Sequence, residues 1–158
     1  MLWFLSSALP YPFAYMTNAI QLSYTLHDLP DIARQLVAQY AQYRIWLFDA
    51  PMGAGKTTLI QQICRCLQAT DAANSPTYSL VNEYHTVKEG IIYHIDLYRL
   101  RNTAEALAIG IEDYLYQENA HCFVEWYAII AGLLPPNCVY IRISLLADGQ
   151  RQLEAHIA

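Results

Sequence analysis

The sequence predicts an α/β sandwich of three layers around a mainly parallel central sheet with an antiparallel edge. Three observations lead there. Short runs, continuously apolar at 45–48 and interrupted by His94 and Asp96 at 91–97, have the character of strands buried on both faces. Segments whose apolar residues recur at helical spacing lie between them. Between the first such strand and the next helix sits a glycine loop within "DAPMGAGKTTL", residues 49–59. Strands that alternate with helices argue for parallel pairing, and no repeat or low-complexity tract interrupts the alternation.

The elements follow in chain order. The first twenty residues, "MLWFLSSALPYPFAYMTNAI", are apolar but are broken by Pro10 and Pro12. No run there reaches the about 18–20 residues a membrane span needs. No Lys or Arg precedes the apolar part, as a secretory signal requires. Residues 1–15 therefore read as an N-terminal extension, disordered or produced by an upstream start. Residues 16–158 read as a single domain beginning near Met16. From 29 to 43, Leu29, Ile32, Ala33, Leu36, Val37 and Tyr40 fall on one helical stripe, with Asp28 or Asp31 as cap. After the 45–48 strand and its loop, Leu59, Ile60, Ile63 and Leu67 mark a second helix over 57–68. A polar stretch, "TDAANSPT", leads to a short alternating strand at 78–84 and the buried-type strand at 91–97. Residues 102–117 read as one helix, with Asn102 as cap and Glu105 three residues on. Strands at 121–126 and 138–146 complete the set, and Pro135-Pro136 and Asp148-Gly149-Gln150 mark turns.

Composition narrows the function. A chain of 158 residues with 55% apolar and 15% charged residues is a globular domain. Its net charge of -5 and its nine Lys and Arg residues argue against broad nucleic-acid binding. The cysteines at 64, 66, 122 and 138 lack zinc-site spacing. They read as buried, reduced thiols of a cytoplasmic protein.

The chemistry centres on the glycine loop. The pattern G-x-x-x-x-G-K-[ST] asks for glycine where this chain has Ala50, but Gly55, Lys56 and Thr57 stand in place. Pro51 biases Ala50 to an extended conformation that alanine adopts freely. The position lies before the amides that would wrap an anion. Amides from Gly53 to Thr58 at a helix start, with the helix dipole behind them, suit phosphate. Lys56 would reach the β- and γ-phosphates and the Thr57 hydroxyl would hold Mg²⁺. Asp96 and Glu125 each end an apolar strand, where an acid can hold or orient Mg²⁺ and water. No [NT]-K-x-D guanine-reading motif is present, since Lys56 and Lys88 are the only lysines, so ATP is favoured over GTP. With the loop in this context, the fold expectation sharpens to a P-loop NTPase-like sandwich.

"GAGKTT", "SPTYSLVNEY" (75–84), "HIDLYRL" (94–100) and "VEW" (124–126) occur in this order. Together they resemble the TsaE (YjeE) family, small bacterial P-loop ATPases of tRNA threonylcarbamoyladenosine synthesis, over residues 22 to 152. The resemblance implies that Met52, Gly53, Ala54, Gly55, Lys56, Thr57 and Thr58 bind ATP phosphates, and that Thr57 and Glu125 are Mg²⁺ ligands. It implies that Asp96 is needed for hydrolysis, that Arg151 lies near the nucleotide, and that Ser75 and Thr77 form a switch-like loop. The implied activity is Mg²⁺-dependent ATP hydrolysis, weak alone and coupled to TsaB and TsaD, with no strong direct tRNA binding. Ala50-Pro51-Met52 stands where the family usually has Gly-Asp-Leu, and Tyr127 where it has proline. The segment around Pro30 lacks the threonine often found beside adenine.

Outside the motifs, His94 reads as a hydrogen-bonded support for Asp96 rather than a general base. Trp46 reads as core. Trp126 would pack beneath the site or lie at an interface. The residues themselves leave two rivals open. One is a small-molecule or nucleoside kinase, with "LYRLRNT" as its only candidate lid. The other is a nucleotide-gated binding module with little hydrolysis.

Overall fold

The computed structural model describes residues 19–70, 79–88 and 90–158. The expected extension over 1–15 and the Ser75 and Thr77 loop lie outside the described residues.

One seven-stranded sheet forms the middle layer. Its strands are β1 (Ile20–Tyr24), β2 (Ile45–Asp49), β3 (Val81–His85), β4 (Ile91–Asp96), β5 (Ala120–Glu125), β6 (Val139–Leu145) and β7 (Arg151–Ile157). They lie in the order β1-β7-β6-β2-β5-β4-β3. The four central strands β6, β2, β5 and β4 are mutually parallel. Antiparallel pairing occurs on both flanks: β3 on β4 at one end, and β7 on β6 and β1 on β7 at the other. The expected parallel sheet is therefore present, with one antiparallel flank more than predicted. β1 and β7 have no continuous apolar run. Each alternates in burial because it lies at or near an edge of the sheet, and that weaker signal hid them.

The helices α1 (Leu29–Tyr40) and α2 (Lys56–Cys66) cover one face. The predicted stripe of α1 is buried at Leu29, Ile32, Ala33, Leu36 and Tyr40. The Tyr40 hydroxyl donates to the Ala155 carbonyl at 3.1 Å and ties the helix to β7. Asp28 occupies the cap position of α1, but its carboxylate accepts from the Thr25 amide and hydroxyl of the preceding turn. Asp31 pairs instead with Arg34 one turn on. α2 buries Leu59, Ile60, Ile63 and Cys64 completely. Each such aliphatic side chain contributes roughly 1.5–3 kcal/mol. Trp46, on β2, is fully buried beneath this layer against Tyr40 and Phe123, in the core as expected.

The other face carries two short helices, α3 (Thr103–Ala108) and α4 (Ile111–Leu115), and a 3-10 helix at Tyr127–Leu133. The single helix expected over 102–117 is broken at Gly110, whose φ of 73° is left-handed and ends one helical segment before the next. The Asn102 cap holds: its side chain accepts from the Glu105 amide at 3.0 Å, and the Glu105 carboxylate accepts from the Arg101 amide at 2.9 Å. Among the described residues no helix is long and apolar enough to cross a membrane.

Candidate functional site

Strand alternation and register build the site. His94 and Asp96 lie two residues apart on β4 and so face the same side of the sheet. Asp96 sits level with Glu125 on the neighbouring β5, and Phe48 of β2 lies level with Glu125 on its other side. That side is the one covered by α2. The helix therefore starts directly over the carboxyl ends of β2, β5 and β4, where ligands bind in open parallel sheets.

The loop between β2 and α2 turns through Gly53 (φ 78°) and Gly55 (φ 104°), two left-handed positions that favour glycine. Ala54 is buried between them, and its amide donates to the Pro51 carbonyl at 3.2 Å. Ala50, at the motif's missing glycine, is not among the left-handed residues, so alanine there is unstrained. The Ala50 carbonyl accepts from Lys56 Nζ at 2.6 Å, and the Pro51 carbonyl accepts from it at 3.2 Å. Arg151, the first residue of β7, donates from Nε to the Ala54 carbonyl at 3.0 Å and lies 3.7 Å from where a Cβ on Gly55 would be. The C-terminal flank thus clamps the loop.

A cavity of about 290 Å³ opens above it. Met52, Gly53, Gly55, Lys56, Thr57, Thr58, Asp96, Tyr98, Glu125 and Trp126 line it. The predicted residues Lys56, Thr57, Asp96 and Glu125 are thus brought together, while Ala54 is buried within the loop and Arg151 bonds to its carbonyl. Thr57 Oγ1 donates to Glu125 Oε1 at 2.9 Å. The Asp96 carboxylate accepts from the Tyr98 amide at 3.0 Å, so it closes the turn after β4 while facing the cavity. Burial pulls the Lys56 ammonium below the ordinary lysine range, against the opposing pull of the Glu125, Asp96 and Asp49 carboxylates.

Two placements were not expected. His94 does not support Asp96: its Nε2 lies 2.8 Å from Glu125 Oε1. The reason is geometric, because Asp96 lies a full residue pair further along the same strand and turns to its own loop. Trp126 lines the cavity rather than lying beneath the site. Its backbone is left-handed (φ 59°), its ring centroid is 4.5 Å from Lys56 Nζ, and Tyr98 packs on it at 5.1 Å. A cation over an indole face is attractive. Only its position next to Glu125 could have signalled this in the sequence. Tyr127, in the family's proline position, starts the 3-10 helix and packs on Tyr140, and burial pushes its phenol up to about 12.

The donor set suits Mg²⁺ with phosphate. Hydroxyl and carboxylate oxygens are hard ligands, and Mg²⁺ in phosphate sites rests on one or two protein oxygens plus the phosphates. Consistent with that, the described residues contain no cluster of three or more His, Cys, Asp or Glu that could hold a metal alone. Cys64, Cys122 and Cys138 are buried and Cys66 is partly exposed, and all four are free thiols.

The model of the family "Threonylcarbamoyl adenosine biosynthesis protein TsaE" matches residues 23–153. The chain belongs to the TsaE family. A tRNA threonylcarbamoyladenosine biosynthesis protein TsaE of Rickettsia bellii is 30% identical over 86% of this chain and 93% of its own length. The Nostoc relative of that name is 46% identical over 68% of this chain and 67% of its own. The Haemophilus influenzae relative is 36% identical over 65% of this chain, and the match spans 63% of the relative's length, a little under two thirds. A Bacillus subtilis YdiB crystal structure superposes with a TM-score of 0.66 at 23% identity, over 89% of this chain and 86% of that one. That likeness concerns the fold. The TsaE family is one of tRNA threonylcarbamoyladenosine biosynthesis.

Proposed function

We propose that this chain is a Mg²⁺-dependent ATPase required to form the threonylcarbamoyl group on adenosine in tRNAs that read codons beginning with A. It would act with a TsaB–TsaD complex rather than transfer the group itself. The observation that carries the reading is the convergence of Lys56, Thr57 and Glu125 at a glycine loop that opens a helix over parallel strand ends. ATP phosphates would lie on the loop from Met52 to Thr58, with Arg151 holding that loop in shape. Thr57 and Glu125 would hold Mg²⁺, which supplies charge neutralisation at the phosphates. Asp96 would orient water at the open side of the cavity. Lys56 would release the Ala50 and Pro51 carbonyls and turn to phosphate. That exchange is a reason to expect slow turnover until a partner favours it. Ser75 and Thr77 complete the proposal as a γ-phosphate-sensing loop.

Steady-state ATP hydrolysis with Mg²⁺, with and without purified TsaB–TsaD, tests the reading, using Lys56→Ala as control. Stimulation by the pair that the variant loses is the expected result. ATP binding with no stimulation would favour a nucleotide-gated module. One observation keeps a phosphoryl acceptor other than water in view. An apolar cavity of about 420 Å³, lined by residues including Leu97, Leu100, Tyr127 and Ile129, shares Tyr98 and Trp126 with the loop cavity. Label from γ-labelled ATP appearing in an added nucleoside rather than in inorganic phosphate would identify a kinase.

A further inference from the structure

We propose that His94 is a positioning residue that fixes the Glu125 carboxylate for Mg²⁺–nucleotide, a role that rests on the reading of this cavity as a Mg²⁺–ATP site. Both side chains are almost fully buried, at 1% and 3% exposed. A buried carboxylate is held in place only by the donors around it. Among the described residues two side-chain donors reach Glu125, and both bind the same oxygen: His94 Nε2 at 2.8 Å and Thr57 Oγ1 at 2.9 Å. As a carboxylate Glu125 can only accept, so Nε2 carries the hydrogen. His94 Nδ1 is buried with no hydrogen-bond partner among the described residues, so Glu125 is the only group that the ring is seen to serve.

The arrangement has a mechanical logic. Thr57 stands on the first turn of α2, next to the phosphate loop. His94 stands in the middle of β4, paired level with Phe123 in the parallel ladder. One donor therefore ties Glu125 to the phosphate loop and the other ties it to the sheet. A Thr57 hydroxyl can donate to Glu125 and still offer a lone pair to a metal. The imidazole also donates to Glu125 but does not line the cavity, so it serves to fix the acid. Donors behind a metal-binding carboxylate commonly change metal affinity about 10–100-fold when removed.

The test separates this role from simple core filling. In His94→Gln the amide nitrogen falls near the position of Nε2 and can donate to Glu125. In His94→Asn the amide falls near Nδ1, where it cannot reach. Binding of a non-hydrolysable ATP analogue to the full chain is measured in EDTA and across a Mg²⁺ titration. Expected is metal-free affinity within about threefold of wild type for both variants. The Mg²⁺ half-point should rise about tenfold or more in His94→Asn and recover largely in His94→Gln. Adding His94→Asn to Glu125→Gln should then shift the half-point no further. Equal Mg²⁺ half-points for His94→Asn and wild type, or equal shifts for Asn and Gln, would overturn the proposal while leaving the nucleotide site standing. A wild-type chain that binds no nucleotide with or without Mg²⁺ sinks the site reading itself. Should His94→Asn fail to fold, the wild-type imidazole ¹⁵N signals decide. The His94 Nε2 resonance should move on addition of Mg²⁺–ADP but not of metal-free ADP, and an unmoved resonance rejects the role.

Discussion

The two ends of the parallel strands make an instructive contrast. At the carboxyl ends, Thr57, His94 and Glu125 are engaged with one another, side chain to side chain, beside a cavity, while Lys56 is held by the Ala50 and Pro51 carbonyls of its own loop. At the amino ends a second polar cavity of about 420 Å³ is lined by residues including Arg44, Lys88, Glu118 and His121. There Arg44 and His121 serve the backbone. Arg44 donates to the Gln117 carbonyl, and His121 Nε2 lies 2.9 Å from the Ala41 carbonyl. A bond to a main-chain carbonyl of a neighbouring element fixes the fold and has no second task. A bond between two side chains can be exchanged for a ligand at modest cost. Two cavities in one sheet therefore differ in what their polar groups are for, although both contain charges.

Four measurements break or sharpen that contrast. Lys56→Ala should remove the carboxyl-end function almost completely, lowering ATP hydrolysis roughly 10²–10³-fold with the folded state retained, since a charge aimed at phosphate is lost. A retained rate would mean that the loop does not hold phosphate. Glu125→Gln keeps the shape and removes the charge. It should lower Mg²⁺-dependent turnover roughly 10–100-fold, with a thermal midpoint at or above that of wild type because a buried charge is relieved. At the amino end the expectation reverses. His121→Leu leaves the Ala41 carbonyl unpaired and should cost about 1–3 kcal/mol in urea unfolding, with turnover per folded molecule unchanged. A specific loss of turnover there would erase the distinction between the two ends. The smallest effect is chemical. Burial pushes the Cys64 thiol up to about 12 and Cys138 up to about 11, and raises Cys122 further. In native protein at pH 8, a disulfide reagent should label partly exposed Cys66 first and reach the others only on unfolding, read by mass spectrometry.

Most of the central sheet was legible because its strands are buried on both faces and leave continuous apolar runs, as at Ile45 to Phe48. The flanking β1 and β7 were not legible, since Ile20–Tyr24 and Arg151–Ile157 alternate only weakly between apolar and polar residues. The break at Gly110 was written in the sequence but was outweighed by the helical spacing on either side of it. In the site, Lys56, Thr57, Asp96 and Glu125 could be read from motif and strand-end position. The partner of His94 could not, because it depends on which strand lies beside β4. Strand order is a tertiary property that sequence spacing does not record. Trp126 was hidden for a related reason, since its left-handed backbone turns the ring to Lys56.

The clamp from Arg151 onto the Ala54 carbonyl also bears on how the molecule comes into being. The two residues are 97 positions apart, so at about 5–20 residues per second the loop is made roughly 5–20 s before its clamp. β1, the first strand of the sheet, likewise waits for β7 before it has a neighbour. The nascent chain therefore carries an unbraced phosphate loop and an unpaired leading strand until β7 is made. Both are secured by a single later event, the docking of β7.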